Sequence, residues 1–190
     1  MIRLRKGSSN LESSGTKVSV NIDLDGSGKV KSSSGSAFLD HMLAAFSSTA
    51  RVDLETKADG NSYHRSMLLG RAIGLAVNDA LGDHSGIRRY GSSIVPMDES
   101  LTKAALDLSG RPYLVFQGEF SGHRIGDMDV QEMRTFMESL VDGARLTLHL
   151  MFFGENDHHK AESIFKALGL AVREAVSKDG TGVPSTKGII

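Results

Sequence analysis

Apolar residues recur at two spacings along this 190-residue chain, and the spacing separates strands from helices. In Val18–Leu24 and Leu101–Leu108 they fall near every second position, as in a strand with one face buried. Val52–Lys57 and Leu146–Phe153 also read as strands. In Leu39–Phe46 and Val130–Leu140 they fall three and four apart, which predicts amphipathic helices. Ser66–Leu81 and Lys160–Val176 predict the longest helices, each ending near glycine or aspartate. The stretches Gly26–Gly35, Asp83–Gly86 and Lys178–Ser185 are rich in glycine, serine and aspartate and predict turns and loops.

The elements come in two similar sets. Ile73-Gly-Leu-Ala-Val77 recurs as Leu168-Gly-Leu-Ala-Val172, an offset of 168 − 73 = 95. The same offset places Asp79 on Glu174, Ala80 on Ala175 and His64 on His159. One residue of slippage matches Ala50-Arg51-Val52 to Ala144-Arg145-Leu146, and Thr16-Lys17 resembles Thr102-Lys103. Self-similarity at half the chain length implies two copies of one unit. The expected fold is α+β, an internal duplication of two similar halves, each a mainly antiparallel sheet with helices on one face. The halves are expected at residues 1–96 and 97–190, together one compact domain.

A hydrophobic content of 39% and a net charge of −1 describe an ordinary globular chain, with no electrostatic reason to expect nucleic acid or an acidic membrane as partner. The start, Met1-Ile-Arg-Leu-Arg-Lys6, lacks the apolar core of a secretory signal, and no apolar run is long enough to span a bilayer, so the chain reads as cytoplasmic. Without cysteine, any metal must sit on imidazoles and carboxylates. The richest candidate is Asn156-Asp-His158-His159-Lys-Ala-Glu162 at the start of the second long helix. Residues four apart on a helix lie about 40° apart and residues three apart about 60°. Either histidine can therefore point the same way as Glu162, whereas the adjacent histidines diverge by about 100°. The alternative is a solvated helix end, with Asp157 as cap and Glu162 facing water. His41, in an apolar helix, and His149, in an apolar strand, add weight to the metal reading. His84 and His123 lie in loop-like contexts and are expected at the surface.

Several motifs together resemble the imidazoleglycerol-phosphate dehydratase family. They are Phe38-Leu-Asp-His-Met-Leu43, Gly86-Ile-Arg-Arg-Tyr-Gly91, Pro96-Met-Asp-Glu99, Leu106-Asp-Leu-Ser-Gly-Arg-Pro-Tyr113, Leu146-Thr-Leu-His149, His158-His-x-x-Glu162 and Val183-Pro-Ser-Thr-Lys-Gly188. The resemblance implies removal of water from imidazole glycerol phosphate to give imidazole acetol phosphate, in histidine biosynthesis. It implies a large homo-oligomer built from trimers, with manganese bound between subunits. It assigns the substrate phosphate to Arg89, Arg111, Lys166, Ser185 and Lys187, whose charges suit a dianion. It assigns metal binding to His41, His64, His149, His158, His159 and Glu162, with His41, His64, His159 and Glu162 at the chemistry.

The chain also departs from that family. The first repeat should carry His-His-x-x-Glu but reads Tyr63-His64-Arg-Ser-Met67, and neither phenol nor thioether suits a hard manganese ion. Gly15 aligns with the glutamate proposed as the family's base, with Glu12 three residues out of register, and Ala45 and Thr49 stand where glutamine and histidine are common. The segment Gly60-Asn-Ser62 lacks a short histidine-containing strand. Fewer than two tightly bound metals per chain are expected. The alternative to a working dehydratase is a non-catalytic or weakly active paralogue that keeps the fold, the oligomer and the phosphate pocket.

Overall fold

The computed structural model describes residues 5–188 and 190. In chain order the first half contains β1 (Lys6–Ser13), β2 (Thr16–Asp23), β3 (Val30–Ser33), α1 (Ala37–Ala50), β4 (Asp53–Asp59) and α2 (Ser62–Leu81). The second contains β5 (Tyr90–Met97), β6 (Ser100–Asp107), β7 (Tyr113–Gln117), β8 (Arg124–Ile125), β9 (Met128–Asp129), α3 (Val130–Ala144), β10 (Thr147–Phe153) and α4 (Asp157–Ala175). Two four-stranded sheets have the same order, β1-β2-β4-β3 and β5-β6-β10-β7. In each, three strands are antiparallel and the last edge pair, β3 with β4 or β7 with β10, is parallel. The halves are similar units, as the internal repeat implies.

The offset is not constant. It is 84 between β1 and β5 (90 − 6), and 94 between β4 and β10 (147 − 53). The additional ten residues lie between β7 and α3 and contain the β8–β9 hairpin. The match of Thr16-Lys17 to Thr102-Lys103 is two residues out of register, because β2 and β6 begin at Thr16 and Ser100. The division expected at 96/97 falls inside β5, which pairs with β6 along its whole length.

Strand alternation determines which face meets the helices. Val18, Val20 and Ile22 of β2, and Leu148, Leu150 and Phe152 of β10, turn inward, while their neighbours face out. α2 lies on β1 and β2 and also against α3; α4 lies on β5 and β6 and also against α1. The four helices therefore form a shared layer between the two sheets, and one continuous apolar core runs through it. Close approach of helix to edge strand requires glycine: a Cβ on Gly7 would sit 2.0 Å from the Ala76 carbonyl oxygen, and one on Gly91 1.9 Å from that of Ala171.

Several elements differ from the sequence expectation for identifiable reasons. β3 lies inside the expected loop 26–35; its Val-Lys-Ser-Ser sequence carries no alternation because it is a short edge strand. β1, β5 and β7 are edge strands that the periodicity also misses. α2 and α4 begin at Ser62 and Asp157 rather than 66 and 160, since their polar first turns carry no apolar period. His84 is a correction: it is 6% exposed, its Nε2 lies 3.3 Å from Asn78 Oδ1, and burial pushes its pKa below the usual imidazole value. Among the described residues no helix is long and apolar enough to cross a membrane.

The strand–helix contact is open to a direct test. Gly91→Ala should destabilise the protein by about 1–3 kcal/mol through overpacking against α4. Gly182→Ala, where a Cβ meets nothing within 4 Å, should be close to neutral. Urea unfolding midpoints with unchanged slopes would measure both.

Candidate active site

The layer of helices brings α1 beside α4, and their contact creates the densest group of candidate ligands. His41 of α1 and His158 and Glu162 of α4 place one ligand atom each within 4.8 Å of one another. Glu162 Oε2 lies 3.4 Å from His41 Nε2 and 3.3 Å from His158 Nε2. The two imidazoles stack, with centroids 5.6 Å apart, and Phe38 packs edge-on against His158. The helical spacing explains half of this set: His158 and Glu162 are one turn apart. His41 arrives only through tertiary packing.

Glu162 is nearly buried, and Lys166 Nζ sits 2.9 Å from its Oε1. Burial alone would raise the Glu162 pKa, but the hydrogen bond and charge of Lys166, with His41, hold it below the usual carboxylate range. An ionised carboxylate flanked by two imidazoles is a donor set that fits a divalent cation such as manganese, zinc or iron.

The remaining metal candidates lie apart. His159 turns away from His158; its Nδ1 lies 2.8 Å from Glu99 Oε2 and its Nε2 3.6 Å from Asp98 Oδ2. The Glu99 hydrogen bond raises the His159 pKa. His64 is the third residue of α2, as His159 is of α4, and its ring lies beside that of Tyr63. His149 lies on the solvent face of β10, in register with Ala105 and Val115, on the side of the sheet opposite to the helices.

Four of the five predicted phosphate residues line one cavity of about 640 Å³: Arg89, Arg111, Ser185 and Lys187, with Tyr90 and Ser109. Arg89 is held firmly. Its Nε and Nη2 donate to Asp107 at 2.7 and 3.2 Å, its Nη1 donates to the Pro184 carbonyl at 2.9 Å, and its guanidinium lies 4.8 Å from the Tyr90 ring centre. The Pro184 bond brings the C-terminal segment onto the cavity. Lys166 is elsewhere, beside Glu162.

The departures from the family pattern have structural roles. Gly15 (φ +74°) and Ser14 form the tight β1–β2 turn, a backbone conformation that favours glycine. Met67 packs against the apolar core, Tyr63 is 49% exposed, and the Thr49 hydroxyl donates to the Ala45 and Phe46 carbonyls at the α1–α4 crossing. Sequence reasoning gave Glu99 and Asp107 no role of their own. Each lies in a family-like motif, but only the hairpin register and strand pairing bring them to their partners.

A family profile described as Imidazoleglycerol-phosphate dehydratase matches residues 34–172. The chain belongs to the imidazoleglycerol-phosphate dehydratase family. It is 44% identical over 192 residues to the imidazoleglycerol-phosphate dehydratase of Methanothermobacter thermautotrophicus, covering 99% of both chains. It is 43% identical over 185 residues to that of an Exiguobacterium species, covering 94% of this chain and 95% of the relative. The crystal structure of the Staphylococcus aureus family member is similar in fold, with a TM-score of 0.84 at 31% identity, covering 91% of this chain and 99% of that one.

The charge on Glu162 yields a prediction. Lys166→Met removes the hydrogen bond and charge that lower this carboxyl's pKa, so the pKa should rise. Carboxyl carbon-13 shifts of Glu162 followed against pH would measure it. An unmoved titration would mean that His41, and not Lys166, keeps the group ionised.

Proposed function

We propose that this chain is a metal-dependent hydro-lyase that dehydrates imidazole glycerol phosphate to imidazole acetol phosphate in histidine biosynthesis. Family membership supports the reaction class. The observation that carries the substrate assignment is the meeting of Arg89, Arg111, Ser185 and Lys187 at one cavity. Guanidinium, ammonium and hydroxyl donors there would anchor the phosphate, and this fixes the rest of the substrate relative to the protein. His41, His158 and Glu162 would hold a divalent cation, which we take to be manganese. When bound, such a cation supplies Lewis-acid stabilisation of negative charge on an imidazole ring. Lys166 neutralises the second oxygen of Glu162 and so keeps the carboxylate ionised for that role.

His149 and the phosphate cavity lie toward the outer face of the second sheet, whereas His41, His158 and Glu162 lie at the helix layer. This separation supports a site completed by a neighbouring copy in a homo-oligomer. So does the character of the outer faces. Tyr90, Ile94, Tyr113, Met151 and Phe153 are exposed on the second sheet, where the equivalent positions of the first are Lys6, Asn10, Lys29, Lys57 and Asp59. An apolar exposed sheet face favours association.

A second reading, a weakly active or non-catalytic paralogue, is favoured by Tyr63, Met67 and Gly15, which serve the surface, the core and a turn rather than a ligand set. Metal analysis of the purified protein, together with turnover of imidazole glycerol phosphate, separates the two. We expect fewer than two tightly bound ions per chain, and recovery toward two when Tyr63→His and Met67→Glu are combined. Two fully occupied sites in the unmodified protein would contradict this. The phosphate assignment has its own check. Arg111→Ala should weaken inorganic phosphate binding, measured by calorimetry, by about 1.5–3 kcal/mol. An unchanged affinity would remove Arg111 from the site.

A further inference from the structure

The duplicated register makes an unassigned residue informative. The β1–β2 turn closes with Ser13 opposite Thr16, and the β5–β6 turn with Met97 opposite Ser100, so Glu99 is the counterpart of Gly15. Each turn lies over the start of the long helix of its half. Gly60 abuts Thr16, Gly154 abuts Ser100, and the caps Asn61 and Asn156 follow. His64 and His159 are then equivalent, but among the described residues His159 alone of the two meets a carboxylate.

That carboxylate is fully engaged. Glu99 Oε1 accepts from the Asn156 and Glu155 backbone amides at 2.7 and 3.2 Å and from the Ser100 hydroxyl at 2.8 Å. Its Oε2 faces His159 Nδ1 at 2.8 Å. Three donors fix one oxygen, so the other has a single orientation and can only accept. An acceptor-only atom selects the neutral imidazole with hydrogen on Nδ1 and leaves the Nε2 lone pair free. The exposed Asp98 carboxylate lies 3.6 Å from Nε2, beyond hydrogen-bond distance. Among the described residues, no hydrogen bond fixes the ring of His64.

We propose that Glu99 is a positioning residue: it sets the tautomer of His159 so that Nε2 presents a lone pair for a ligand-binding or proton-accepting role. This rests on the resemblance-based reading of His159 as a metal-binding and catalytic residue, separate from the His41, His158 and Glu162 group. Among the described residues the device belongs to the second half alone, because Gly15 has no side chain to clamp His64.

Glu99→Gln tests it sharply. The amide oxygen must take the Oε1 position, where three donors point, so the NH2 group faces His159. Nδ1 must then accept, and the hydrogen moves to Nε2. In full-length protein with nitrogen-15 imidazole labels, at a pH where the ring is neutral, the parent should show His159 protonated on Nδ1 and Glu99→Gln on Nε2. Glu99→Asp, still acceptor-only, should keep the parent tautomer, and the His64 signal should be the same in all three. Manganese(II) affinity, measured by calorimetry without substrate, should fall about 10–100-fold in Glu99→Gln. An Nε2-protonated parent, or an unchanged tautomer in Glu99→Gln, overturns the proposal. A switched tautomer with unchanged manganese affinity supports the positioning role and instead removes His159 from the metal ligands.

Discussion

The structure depends on helices that are buried on two sides. α2 and α4 each have a sheet on one flank and a helix of the other half on the opposite flank. Neither half can bury its own helices alone, so the hydrophobic effect locks the two together. Chemistry follows from that packing. His41 is supplied by the first half and His158 and Glu162 by the second, and they meet because α1 crosses α4. The crossing tolerates little change: a Cβ at Gly169 would lie 2.1 Å from Thr49 Oγ1. Thr49 is therefore itself part of the contact that builds the cluster.

Much of this was legible from residue order. The repeated pentapeptide gave the equivalence of α2 and α4, and through it that of His64 and His159. Period-two runs located β2 and β6, and β4 and β10 also read as strands; these four are the central strands, where burial on one face imposes alternation. The edge strands escaped detection because half their hydrogen bonding and much of their surface meet solvent, which leaves residue choice free. Local spacing likewise showed that His158 or His159 could share a face with Glu162. It could not choose between them. His158 faces Glu162 while His159 meets Glu99, sixty residues earlier in sequence, and such a contact has no local signature.

The residues proposed to bind phosphate were legible for a different reason. Arg89, Arg111, Ser185 and Lys187 lie in loops with no periodicity, and motif resemblance alone picked them out. What the motif does not carry is support: Asp107 gripping Arg89, and Arg89 in turn holding the Pro184 carbonyl. The first half has a parallel arrangement in which Arg5 is paired with Asp25 and donates to the Val176 carbonyl. Both arginines, 84 residues apart, tie the strand that follows them to chain beyond or at the end of α4.

Two like halves packed face to face define an approximate twofold relation, which provides two geometrically matched stations rather than one. The station at α1–α4 holds His41, His158 and Glu162. Its mate at α2–α3 holds Thr135, Tyr63 and Met67, by the offsets of 94 and 95. Every donor of the first station is replaced at the second by a hydroxyl, a phenol or a thioether. The protein thus has a symmetric frame with asymmetric chemistry: each station draws one helix from each half, and the α2–α3 station is released from ligand duty to hold the halves together.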